Sequence, residues 1–269
     1  MDSLVRNEFF AGLFILAAAN GIVGRADKAI AQDGIWVALL NTFDISIIVW
    51  AACWVVLSFL AHSAAERVTK LDLLVGAGVV ALCVPPFALL SWIGLTLLGL
   101  RVMLGSPRGS SYWRAGAVML ALTVPMFWSR LLFAFFSGPI LRADAVLASF
   151  IAGTDSVGNS VRFADNWGYM FVGPPCSSWA NVSLAVLCWV LFNQAAGGRL
   201  ALNKIGWGVM AGLAVIAINV TRIGLIGRNH QYFELLHGPV GATIANWATL
   251  AAITGVNMYA FRRGVVARP

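Results

Sequence analysis

Residues 205–226 read IGWGVMAGLAVIAINVTRIGLI, with Arg222 as the only charge. A helix needs roughly 20 apolar residues to cross a hydrocarbon core, so this stretch predicts a transmembrane segment. Further apolar runs lie at about 9–23, 45–61, 71–84, 87–104, 115–136, 177–197 and 241–261, each bounded by charge, Pro or Gly. Pro85-Pro86 divides 71–84 from 87–104, which are read as two short helices joined by a minimal turn. The expected fold class is an all-α polytopic membrane protein of about eight transmembrane helices, one integral membrane domain over residues 1–269.

Composition points the same way. Of 269 residues, 60% are hydrophobic and 11% charged, against roughly 25% charged in soluble domains. The balance of 18 Lys and Arg over 11 Asp and Glu gives +7. These cations are scattered between apolar runs, without a basic block or interleaved aromatics, so no nucleic-acid partner is expected. Ala17-Ala18-Ala19 could serve a signal peptidase, but the segment before the run sets Arg6 against Asp2 and Glu8, and the run is read as a retained first span.

With the N-terminus inside, the cytoplasmic segments hold Arg6, Arg67, Lys70, Arg101, Arg108, Arg114, Arg199, Lys204, Arg262, Arg263 and Arg268. The other side holds Arg25, Lys28, Arg142, Arg162 and Arg228. The excess predicts a multi-pass protein of the cytoplasmic (inner) membrane with both termini in the cytoplasm. The longest outer segment, about 137–175, carries turn clusters at 156–160 and 164–168 around Val161-Arg162-Phe163 and before 169–172. That pattern predicts a short outer-face β-hairpin before the sixth helix.

Four cysteines form no C-x-x-C pair. Cys53, Cys83 and Cys188 lie inside apolar runs and read as packing residues. Cys176 follows Gly173-Pro174-Pro175, and Pro175 suits a first helical position, which would place Cys176 in the first turn of the sixth helix. A thiol attacks as its thiolate, and the free N–H groups of a helix start favour negative charge. Arg222 lies about one turn below the outer end of its helix and shares a face with Asn219. Alone it reads equally as a snorkelling side chain, and a lone His237 in the last connection reads as a solvated loop residue. The informative point is convergence, because three separate segments deliver Cys176, Arg222 and His237 to one outer face. His230 is the alternative acid/base. Arg130, a second intramembrane cation, either snorkels or meets an acidic motif. Trp167, Trp179 and Trp247 belong to the interface or to a groove, and Asp44 to the interface. No metal-ligand spacing or phosphate loop is present, so neither metal nor cofactor is expected.

Pro175-Cys176-Ser177-Ser178 at a helix start, Asn219-x-x-Arg222, and His237-Gly-Pro-Val-Gly241 follow in that order on one membrane side. The set resembles the exosortase/archaeosortase family over a catalytic core of about 110–260, as does the hairpin-like stretch before the Cys. One departure is that Cys176-Ser177-Ser178-Trp179 lacks the Gly that many members carry two residues after the Cys. The resemblance implies a cysteine protease/transpeptidase acting on the C-terminal sorting signal of exported proteins: a short motif such as Pro-Glu-Pro, a transmembrane helix in membrane lipid, and a basic tail. It implies that Cys176 forms a thioester, that His237 protonates the leaving amine, and that Arg222 stabilises the oxyanion or orients substrate. Asn219 would hold Arg222 or donate a further hydrogen bond. Asn219, Arg130, Ser177 and Trp179 are the expected substrate contacts, and the acceptor that resolves the thioester is left open. The other class the residues allow is a non-catalytic transporter or channel with Arg130, Asn219 and Arg222 along a solute path. These charges are few and gathered near one face, without an inverted repeat.

Overall fold

The computed structural model describes residues 5–197 and 202–265, and only the backbone of 202, 203 and 263–265. Arg199 and Arg268, counted above on the cytoplasmic side, lie outside the described residues, as does Asp2. The chain is mostly helical. In order come α1 (Arg6–Asp33), α2 (Ile35–Leu40), α3 (Ile47–Ala61), α4 (Lys70–Cys83), α5 (Ala88–Leu104), α6 (Ser111–Thr123) and α7 (Ser129–Ala152). A small sheet follows, β1 (Ser156–Val157), β2 (Ser160–Arg162) and β3 (Tyr169–Phe171), then α8 (Trp179–Ala195), α9 (Leu202–Arg228), α10 (Tyr232–His237) and α11 (Pro239–Val265).

Three described helical stretches, Arg6–Asp33, Ser111–Ala152 and Lys204–Arg228, are long and apolar enough to cross a membrane. Every other apolar run of the sequence also falls on a helix. α4 and α5 fall short on length, with 14 and 17 residues, since 14 residues rise only about 21 Å against a core of about 30 Å, whereas α11 matches α9 at 27 residues and falls outside the three on hydropathy. The break between α4 and α5 falls at Pro85-Pro86 as the sequence predicts, with Phe87 N–H reaching back only as far as the Pro85 carbonyl, at 2.7 Å.

The chain groups into two compact units. In the first, Met1–Phe127 with Val190–Arg199, Arg6 donates to Glu66 at 2.6 Å and to Asp72 at 3.1 Å, while Arg101 reaches the other Asp72 oxygen at 2.8 Å. Asp72 is fully buried, a position a carboxylate holds only with such partners. It also closes a capping box with Thr69 at the start of α4.

The second unit is Trp128–Trp189 with Leu200–Pro269. Its core joins a stripe on α7 (Leu141, Ala145, Ala148, Ala152) to the inner face of the sheet (Val161, Met170) and to Val220, Ile223 and Ile226 of α9. A Cβ on Gly224 would stand 2.6 Å from Ile151 Cβ and 3.0 Å from the Ala148 carbonyl, so the approach of α9 to α7 needs glycine there. The expected hairpin is present as antiparallel β2 and β3, with β1 added on the far side of β2. Asn166 at φ 62° and Gly168 at φ 141° turn the chain between β2 and β3.

The long outer loop expected at 137–175 is not what forms. The helix runs through Pro139 to Ala152, and Phe136 at φ −118°, ψ 19° leaves helical angles one turn earlier. That local opening gives the proline ring the room an ideal helix denies it.

Candidate functional site

β3 leads into a short 3-10 turn, Pro174–Cys176, in which the Cys176 N–H returns to the Gly173 carbonyl at 2.9 Å. The two prolines fix a separate turn, and α8 begins only at Trp179. Cys176 therefore precedes the helix and does not sit in its first turn as its spacing predicts. Two amides at the approach to the helix are taken as well. Ser178 N–H goes to Asp144 Oδ2 at 3.2 Å and Trp179 N–H to Ser177 Oγ at 3.2 Å. Support for the sulfur comes from another quarter.

That quarter is α10, whose last residue is His237. Its Nε2 lies 3.9 Å from Cys176 Sγ, and its ring stacks on Phe233 with centroids 4.7 Å apart and planes 8° from parallel. A Cβ on Gly241 would fall 2.4 Å from the Leu236 carbonyl and 2.5 Å from that of Leu235. The His-Gly-Pro-Val-Gly pattern thus lets α10 press against the first turn of α11, which sets the histidine. His230 is engaged elsewhere. Its Nδ1 meets Asp165 Oδ2 at 2.7 Å, and its ring stacks on Trp167 at 4.8 Å.

One face of α9 fastens both sides of the Cys-His pair. Asn219 Nδ2 donates to the Cys176 carbonyl at 2.7 Å, and Arg222 Nε donates to the Leu236 carbonyl, next to His237, at 2.8 Å. Asn219 thus holds the Cys176 backbone, where its spacing on α9 predicts a contact to Arg222 or a further hydrogen bond. Only Nε of the guanidinium is used in a hydrogen bond among the described residues. Arg222 lines a 380 Å³ cavity walled mainly by apolar side chains of α9 and α11, among them Ile218, Leu225, Ile244 and Ala248.

Asp144 was not singled out by the sequence. It is 3% exposed and accepts from Ser177 Oγ at 2.9 Å, Ser178 Oγ at 2.7 Å and the Ser178 amide. Ser177 is buried in this contact, and the Trp179 indole donates to the Ser129 carbonyl at 2.7 Å. Both residues, expected as substrate contacts, hold the segment after Cys176 in place. Arg130 stands exposed in the first turn of α7 and takes no part in this hydrogen-bonded set. Among the described residues no three His, Cys, Asp or Glu side chains gather as a metal site needs.

Asp144→Ala removes the acceptor for three donors, two of them on buried side chains. A loss of about 1–3 kcal/mol is expected for each buried polar group left unpaired, read as an earlier thermal unfolding of the detergent-solubilised protein. Asp144→Asn keeps one acceptor oxygen and is expected to lose less.

The Asp165–His230 contact ties the loop after β2 to the segment before α10. The His230 ring, with the His230 and Trp167 amides, holds the Asp165 carboxyl below its usual range. A depressed carboxyl stabilises the folded state above its unfolded pKa of about 3.9 and loses that contribution as pH falls through the folded value. Protection of the amides in 164–168 and 229–232, measured against their intrinsic exchange rates, is therefore expected to be present at neutral pH and to fall below about pH 4. In Asp165→Asn this acid-induced loss of protection should be absent.

Comparison with protein-family models, curated proteins and solved structures finds no match to this chain.

Proposed function

We propose that the protein is a membrane cysteine protease/transpeptidase of the exosortase type. It would cleave the C-terminal sorting signal of exported proteins at the outer face of the cytoplasmic membrane. The observation that carries this reading is the 3.9 Å approach of Cys176 Sγ to His237 Nε2 between segments 61 residues apart. Such an approach suits a nucleophile and its general base. His237 takes the thiol proton as sulfur attacks the scissile carbonyl, giving a tetrahedral oxyanion. Arg222, whose Nε holds the Leu236 carbonyl next to His237, would supply its Nη donors to that charge or to an acidic residue of the motif. The C–N bond breaks, His237 returns the proton to the leaving amine, and a thioester remains on Cys176. Water or an amine then attacks the thioester through His237, and the thiol re-forms.

In this reading the eight apolar segments form a multi-pass bundle with both termini cytoplasmic, and exported proteins and membrane lipid are its partners. Reporters fused to each terminus test the topology. For activity, the chain is co-expressed with an exported protein ending in Pro-Glu-Pro, an apolar helix and an Arg cluster. Conversion of that reporter to its shortened form is expected, and a reporter that stays whole in the presence of the wild-type chain contradicts the proposal.

A further inference from the structure

We infer that the open edge of β3 binds the substrate segment ahead of the scissile bond as a fourth strand; this rests on the cysteine chemistry proposed for Cys176. In the sheet order β1-β2-β3, β2 covers one edge of β3, and no strand covers the other among the described residues. Register decides which amides face outward. Met170 pairs with Val161, Val172 N–H bonds the Asn159 carbonyl at 2.9 Å, and Phe163 N–H bonds the Gly168 carbonyl at 2.9 Å. Residues 168, 170 and 172 thus turn their backbone groups toward β2. By the alternation of an antiparallel ladder, the N–H and C=O of Tyr169 and Phe171 turn to the open side. These two residues are 58% and 65% exposed.

Continuity with the nucleophile makes this edge more than an unpaired strand. Phe171 lies five residues before Cys176 along the chain, a reach of at most about 17 Å, and Asn219 anchors the Cys176 carbonyl. A peptide added along β3 gains main-chain hydrogen bonds that do not depend on its side chains, and it is held extended, as attack on a peptide carbonyl requires. In the proposed substrate a membrane helix follows the recognition motif, so the extended part lies upstream. It must run parallel to β3 to arrive at Cys176 with its C-terminal end. The residue beside Phe171 would stand about four or five positions before the scissile carbonyl.

Phe171→Pro removes the outward N–H and leaves the β2–β3 ladder, because proline is tolerated on an edge. Ser156→Pro does the same on the opposite edge, where Asp155 and Val157 make the bonds to β2. With the Pro-Glu-Pro reporter, Phe171→Pro is expected to lower cleavage about tenfold, the scale of one or two lost hydrogen bonds, while Ser156→Pro keeps the wild-type rate. A second measurement needs no turnover and does not rely on the proline variant folding. Phe171→Cys, in a chain whose four native cysteines are alanine, is oxidised beside reporters carrying one Cys at each of the positions upstream of the motif. Disulfides at every second position are expected. Crosslinks without that alternation, crosslinks equally strong from Ser156→Cys, or a folded Phe171→Pro variant as active as wild type would overturn the docking alone. A reporter left whole by the wild-type chain overturns the protease reading and the docking together.

Discussion

Cys176→Ala is expected to leave the Pro-Glu-Pro reporter at full length in membranes where the activity proposed for the wild-type chain shortens it. The expected fall in cleavage is about 10⁴-fold or more, because no other group beside His237 replaces a thiolate that the proposed reaction bonds to the substrate carbon. Folding is expected to survive. The backbone contacts that place residue 176, to Gly173 and from Asn219, involve no sulfur, and the half-buried side chain sits at the margin of the core. Cys53, Cys83 and Cys188 changed to alanine test the assignment from the other direction. Each is a free thiol placed in a helix, and its loss is expected to cost packing and leave cleavage intact. Equal loss of cleavage on changing any of the four would remove the nucleophile assignment.

Residues flanked by strong punctuation were the legible ones. Pro174-Pro175 before the thiol and Gly238-Pro239 after the histidine announce chain turns at which side chains meet, and Arg222 stands out as a lone charge in an apolar run. Asp144 was hidden for the converse reason. The apolar run stops at Ser137-Gly138-Pro139, which puts 137–175 in one outer segment and hides the helical period of Leu141, Ala145, Ala148 and Ala152 on which Asp144 lies. For Ser177 and Trp179, expected as substrate contacts, the fold adds a structural role, since their donors seat α8 on Asp144 and Ser129. Spacing could favour His237 over His230 only by pattern. What separates them is a partner 65 residues away, since Asp165 and Trp167 hold His230, and long-range pairing of that kind leaves no local mark in a single sequence. The count of crossings was limited in the same way, because an apolar run shows that a helix forms but not whether α4 or α5 spans a bilayer.

Arg222→Lys is the variant that separates charge from geometry at the site. In the native guanidinium Nε holds the Leu236 carbonyl beside His237, neither Nη is used in a hydrogen bond among the described residues, and the residue lines the cavity. An ammonium carries the same charge on one nitrogen at the end of a flexible chain, so it either holds the carbonyl or points into the cavity. Removing one donor from a developing oxyanion costs about 10²–10³ in kcat, and a loss of that size is expected for cleavage of the reporter. KM should change little if the donor acts on the transition state, and should rise if Arg222 chiefly holds an acidic residue of the motif. The rate at which a small maleimide labels Cys176 provides the control. It is expected to stay near the wild-type rate, since Asn219 and Gly173 still hold the cysteine. Slowed labelling would show that Arg222 acts by seating α10 and its histidine, and full cleavage by Arg222→Lys would leave the residue as a positive charge whose fork of donors has no part in the reaction.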